Sequence, residues 1–221
     1  MTARTGRGQP HKPYACEPST MDAVRLRRVN RWQAQGLAGA LADLYVDSRE
    51  TSARAAYRPL GRQDFLNRLT AEICRPGCAM VIAEMDGLVG CAFGFRVRSG
   101  GFWLLGFDGA LPRGSERLTE SGGVFAITDI LVRPHPRDEH VARRLQGRLL
   151  SDEYAALGAT LVDRFDHPAL ASLRSRGWLD AGEIWRLVRA TLLRMLVLPV
   201  GERTAARSAG LAHGAWTRWP G

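Results

Sequence analysis

One acid interrupts one of the most apolar runs in the chain. In Val124-Phe-Ala-Ile127-Thr128-Asp129-Ile130-Leu131-Val132 every residue except Thr128 and Asp129 is hydrophobic. A carboxylate partly buried in such a strand has its charged form penalised, which raises its pKa and suits it to accepting a proton through water. A structural hydrogen-bond acceptor is the other reading of Asp129, and the residues alone leave both open. Glu84, on a neighbouring hairpin, is a second carboxylate candidate. Directly after the acid comes Val132-Arg-Pro134-His-Pro-Arg137-Asp138-Glu139-His140-Val141-Ala142, a proline-bounded turn opening a helix. A helix start offers unpaired N–H groups and the positive end of its dipole, so a pyrophosphate can be held there by backbone amides. Arg137 adds a guanidinium that can grip phosphate oxygens as a fork. Asp138 and Glu139 suit the dipole but repel an incoming anion unless they turn outward. His140 reads either as a phosphate contact or as an ordinary surface residue.

The elements that must position these residues follow from periodicity. Residues 23–29 are an edge strand. Leu37, Leu41, Leu44 and Tyr45 share one face of a helix over 34–48, and Phe65, Leu66, Leu69 and Ile73 share a face of a second that starts after Gly61 and stops at Pro76-Gly77. Residues 79–84 and 88–97 form a hairpin about a two-residue Asp86-Gly87 turn. A Gly-rich passage follows over 98–123, long enough to be functional in a compact domain, with room for a short strand at 102–107. The strand over 124–132 leads into a helix over 137–157, where Val141, Leu145 and Leu149 repeat every fourth residue toward the core and Gly158 caps the end. A strand at 159–162, a short helix at 168–176 and a last strand at 191–198 complete the domain.

Composition narrows the classes. A chain of 221 residues with 45% hydrophobic content suits one globular domain spanning 21–198, between a flexible leader over 1–20 and a flexible tail over 199–221. The longest apolar stretch, 192–200, is interrupted by Arg194 and Pro199, so it is no membrane anchor, and the leader lacks a secretory apolar stretch; a cytoplasmic location is expected. The four cysteines lack metal-ligand spacing, so no metal is expected and the thiols read as reduced. A formal charge of +9 is spread along the chain, almost all of it on arginine, with no basic run interleaved with aromatics. Nucleic-acid binding is therefore disfavoured, while the charge suits a phosphate-bearing ligand.

The order of elements resembles the GNAT (GCN5-related N-acetyltransferase) superfamily over roughly 23–198. The local match is to the family's V-x-P-x-x-[RQ]-x-x-G-x-[GA], which Val132, Pro134, Arg137 and Ala142 keep, with His140 in the glycine position. A second family pattern, A-x-x-x-Y-x-x-x-G-[FW], is matched by Ala169, Gly177 and Trp178, with Leu173 in place of the tyrosine. The resemblance implies an α/β fold with a mixed, mostly antiparallel central sheet flanked by helices. It also implies an acyltransferase that moves an acetyl or similar acyl group from acetyl-CoA to a primary amine by direct attack in a ternary complex.

By the same resemblance, the strand at Ile130, Leu131 and Val132 would bond the pantetheine arm, and Arg137, Asp138, Glu139, His140, Val141 and Ala142 would cradle the pyrophosphate. A backbone N–H of Leu131 or Val132 would polarise the thioester carbonyl, and Asp129 would relay the proton. Trp103, Phe107 and Asp108, in the 98–123 insertion, would lie over a small-molecule or protein amine acceptor; a hairpin touching no substrate explains the same letters. Leu173 removes the phenol that protonates the leaving thiolate in many members, although a thiol with a pKa near ~8.5 can leave unaided. Both departures keep a non-catalytic ligand- or partner-binding module as the alternative. Sheet-edge pairing into homodimers is common in the family, so a homodimer is compatible with the resemblance.

Overall fold

The computed structural model describes residues 24–50, 61–98, 115–134, 138–186 and 191–201. They form a seven-stranded sheet in the order β1-β2-β3-β4-β5-β7-β6 with helices on both faces. The strands are β1 (Arg25–Val29), β2 (Cys78–Glu84), β3 (Leu88–Arg96), β4 (Val124–Val132), β5 (Leu157–Asp163), β6 (Leu179–Arg186) and β7 (Thr191–Pro199). Only β4 and β5 run parallel; every other neighbouring pair is antiparallel. The mixed, mostly antiparallel α/β architecture expected from the sequence is the one observed.

The helices start and stop where local chemistry allows. The first helical segment begins at α1 (Arg31–Gly36), earlier than apolar spacing predicted, because Asn30 and Gln33 form a reciprocal capping box with both bonds at 2.9 Å. It breaks at Leu37, between Gly36 and Gly39, two weak helix formers, and resumes as α2 (Ala38–Glu50). α3 (Arg62–Ile73) buries Phe65, Leu69 and Ile73. Its Phe65 ring stacks on Tyr45 of α2 with centroids 4.3 Å apart. Together α2 and α3 cover one face of the sheet over Met80, Ile82, Cys91 and Phe93.

The opposite face is covered by α5 (Asp138–Asp152) and α6 (His167–Ser175), whose Leu145, Leu149, Leu170 and Leu173 pack with Val81, Ala92 and Phe125. α5 ends five residues before the expected 157. The turn that ends it puts Tyr154 at φ 49 and lets the Ala155 N–H bond to the Leu150 carbonyl. A non-glycine in that position leaves no mark in the sequence. Gly158 therefore caps nothing: it lies in β5, where a Cβ would press on Leu150 at 3.2 Å and Trp178 at 3.4 Å.

Three further differences are local. The β2–β3 loop has three residues, since Glu84 pairs with Leu88, and a bulge follows the pairing of Ala83 with Gly90. A short helix, α4 (Ser115–Glu120), occupies part of the segment read as a Gly-rich passage. β6 was not expected at all: its polar residues and a register shift between Asp180 and Gly182 break the alternation that marks a strand. The expected strand at 102–107 lies outside the described residues, and among the described helices none is long and apolar enough to cross a membrane.

Candidate active site

The parallel pair at the centre of the sheet is paired at one end only. β4 and β5 pair through Val124–Ala126 and Leu157–Ala159, and the last link is the Thr160 hydroxyl, which donates to the Ile127 carbonyl at 2.9 Å. Beyond it the strands separate, and a cleft of about 770 Å³ opens between them. Tyr45, Arg49 and Arg68 from α2 and α3 line one wall; Glu139, Ala142 and Leu173 from α5 and α6 line the other.

A bulge decides which side chain of β4 faces which wall. Asp129 pairs with Phe93 and Ile127 with the next residue, Gly94, so Thr128 is an extra residue in the ladder. Ahead of it Phe125 and Ile127 pack on the α5 face; after it Ile130 and Val132 take that face, and Leu131 turns toward α2 and α3. Asp129 shares the parity of Leu131. Without the extra residue its carboxylate would face α5.

The partner of Asp129 is Arg68 of α3, whose Nη1 lies 2.7 Å from Oδ2, with the two side chains 29% and 7% exposed. Burial works against the guanidinium charge, but the Asp129 carboxylate more than offsets it and the Arg68 pKa ends above its ordinary value. Asp129 Oδ2 is held by this ion pair, and Arg68 Nε and the neighbouring Thr128 Oγ1 are buried without a hydrogen-bond partner. Cys91, across the ladder from Leu131, is fully enclosed, and burial drives its thiol pKa far up.

The backbone of β4 supplies another open edge. Arg133 N–H donates to the Val89 carbonyl at 2.8 Å. Alternation along the antiparallel ladder then turns Asp129 and Leu131 toward β3, leaving the N–H and C=O groups of Ile130 and Val132 aimed at the cleft. Of the two amides expected to polarise a carbonyl, that of Leu131 is thus spent in the sheet and that of Val132 faces the opening.

The other expected residues separate. Ile130, Leu131, Val132, Glu139 and Ala142 border the cleft. Glu139 points along the α6 end, where it accepts from the Ser175 hydroxyl at 2.9 Å and lies 3.6 Å from Arg143. Val141 is a core residue and His140 is exposed on α5, neither bordering the cleft. Arg137, the side chain of Asp138, and Trp103, Phe107 and Asp108 lie outside the described residues. Glu84 is elsewhere: it pairs with Arg27 at 2.9 Å on the β1–β2 surface, which lowers its pKa. Leu173, at 8% exposure, packs into the core and shows only an edge to the cleft.

Sequence reasoning missed the helical wall. Arg68 follows Phe65 by three residues and its guanidinium lies 5.4 Å from that ring, so it reads as part of an ordinary amphipathic helix. Arg49 of α2 crosses to Asp166, the N-cap of α6, at 3.2 Å. Contacts between residues so far apart in the chain carry no local signal. Among the described residues no group of three or more His, Cys, Asp or Glu could hold a metal ion.

No protein-family model and no curated protein sequence matches the chain. Solved structures do match it. A protein described as an acetyltransferase of the GNAT family, from Desulfovibrio desulfuricans, superposes with a TM-score of 0.55 at 16% identity, over 81% of this chain and 100% of its own. The fold is that of the GNAT acetyltransferases. Another match is an acetyltransferase from Thermus thermophilus, at a TM-score of 0.54 and 13% identity over 80% of this chain and 97% of its own. An aminoglycoside acetyltransferase solved with coenzyme A gives 0.53 at 16% identity, over 84% and 99% of the two chains. At these identities the GNAT likeness is one of fold.

Proposed function

We propose that the chain is an acyl-CoA-dependent N-acyltransferase that moves an acetyl or similar acyl group to a primary amine by direct attack in a ternary complex. The observation that carries this reading is the opening between β4 and β5, with outward backbone groups of Ile130 and Val132 on its edge and Asp129 on its α3 side. Solved structures of similar fold described as acetyltransferases, one of them holding coenzyme A, favour that donor.

In this reading the Val132 N–H, aimed into the cleft, stabilises negative charge growing on a thioester oxygen. Asp129 receives the proton of the acceptor's ammonium through water from the opposite wall. The amine nitrogen then bonds to the carbonyl carbon, its second proton passes to water, the C–S bond breaks, and the sulfur leaves as thiolate. Leu173 offers no proton, so water supplies it. The turn at Pro134, Arg137 and the first turn of α5 would hold the phosphates, with Glu139 drawn aside by Ser175.

Millimolar acetyl-CoA is expected to raise the melting temperature, and thiol release is expected with at least one member of an amine library. Asp129→Asn should lower turnover by about 100-fold, the usual weight of a general base, while the thermal shift by acetyl-CoA stays near the parent value. Undiminished turnover in that variant removes Asp129 from the mechanism. No thermal shift with acetyl-CoA sinks the donor assignment, and a shift without thiol release favours a binding module over an enzyme.

A further inference from the structure

The cleft's charges say what kind of amine fits. Its described carboxylates are Asp129, Glu139, Asp163 and Asp166. All are already engaged: Asp129 by Arg68, Asp166 by Arg49, Glu139 by Ser175 and Arg143, and Asp163 by the Phe165 N–H at 2.8 Å. A polyamine, which needs several uncompensated acids, would meet guanidinium groups instead. Beside Asp129, however, the capacity for one more pair of hydrogen bonds is left over. Arg68 Nε is an unused donor, Asp129 Oδ2 an acceptor held only by the ion pair and Thr128 Oγ1 can be either, and all three residues line the cleft. Native chains seldom leave three such groups together without a use for them.

We infer that the acceptor is an α-amino carbonyl compound, an ammonium with a carboxylate or carbonyl oxygen on the next carbon, recognised by Asp129 and Arg68 together. The ion pair between Arg68 and Asp129 can open by rotation of the guanidinium, which bares both groups to the cleft. The ammonium then lies on Asp129 while the neighbouring oxygen takes the N–H edge of Arg68, with Thr128 completing the set. The spacing suits a single small unit, since guanidinium and carboxylate are in direct contact before the ligand enters. Arg68 acts here in specificity and binding, and Asp129 keeps its place in proton transfer. The inference rests on the acyltransferase reading for the word acceptor, but not for binding.

The test uses the full chain with five acceptors: leucine, leucinamide, leucylglycine, 3-methylbutylamine and spermidine. Thiol release from acetyl-CoA should be faster, in kcat/KM, for at least one of the first three than for 3-methylbutylamine by about tenfold or more, because a site built around a polar group rejects the analogue lacking it. Leucine ahead of leucylglycine assigns free amino acids; the reverse order assigns peptide N-termini. In Arg68→Lys, which keeps the charge but loses the Nε donor, the ratio should fall severalfold, and in Arg68→Met it should approach one. A parent ratio near one, or spermidine as the best acceptor, overturns the inference even if the variants do not fold. If no amine releases thiol, the transferase reading fails separately, and thermal shifts by leucine, leucinamide, leucylglycine and 3-methylbutylamine with coenzyme A present decide this one. Equal shifts, or none, overturn it.

Discussion

Asp129 and Arg68 depend on each other at the residue scale, because each is a charge taken largely out of water. Removing the cation leaves an uncompensated carboxylate in the core edge, whereas Asp129→Asn leaves a neutral amide that can still accept from the guanidinium. Arg68→Met is therefore expected to cost about 2–3 kcal/mol in urea denaturation, and Asp129→Asn clearly less. An equal or opposite ordering would mean that the pair adds nothing to the fold. Asp129 itself stands out in the letters, an acid in an apolar strand. Arg68 does not, since one arginine among 31 basic residues has nothing to distinguish it until α3 is laid against β4.

Among the elements, β4 is the one on which everything else is registered, and Gly94 is what lets it bulge. A Cβ there would overlap the Ala126 carbonyl oxygen and come within 2.9 Å of the Ile127 Cα. Gly94→Ala should shift the ladder at the bulge, lowering the melting temperature by several degrees and abolishing turnover; unchanged stability and activity would show that β3 and β4 tolerate the contact. Apolar periodicity made the bounds of β4 and most of α3 legible in advance, because both bury a continuous stripe. The end of α5 was hidden by Tyr154, and β6 by its polar residues and register shift. The bulge was hidden as well: Thr128 is an ordinary strand residue, and only its pairing with the neighbouring strand shows it to be supernumerary.

For the molecule as a whole, one buried and one half-buried thiol set an alkaline limit. Burial, with Glu72 nearby, pushes the Cys78 pKa from its ordinary 9.0 up to about 11, and Cys91 is raised further by the same cause. Between those values the unfolded chain loses thiol protons that the folded chain keeps, so the folded state binds more protons and stability falls as pH rises from 9 to 11. Denaturation midpoints should decline over that window, and Cys78→Ala should flatten the decline; a slope unchanged by the substitution assigns it to other groups. Elsewhere the sheet is clasped by Glu153, which lies 2.6 Å from Arg28 of β1 and 3.3 Å from Arg96 at the end of β3. The extra residue at 128 has a last consequence. It divides β4 into two reading frames, so that one strand shows odd-numbered side chains to the helices α5 and α6 before it and even-numbered ones after it. Under the proposed function, 129 and 131 belong to the acceptor side of the strand, while 130 and 132 serve the donor through their backbone groups. A deletion inside β4 would exchange the two vocabularies at a stroke, and one beyond Arg133 would leave both intact.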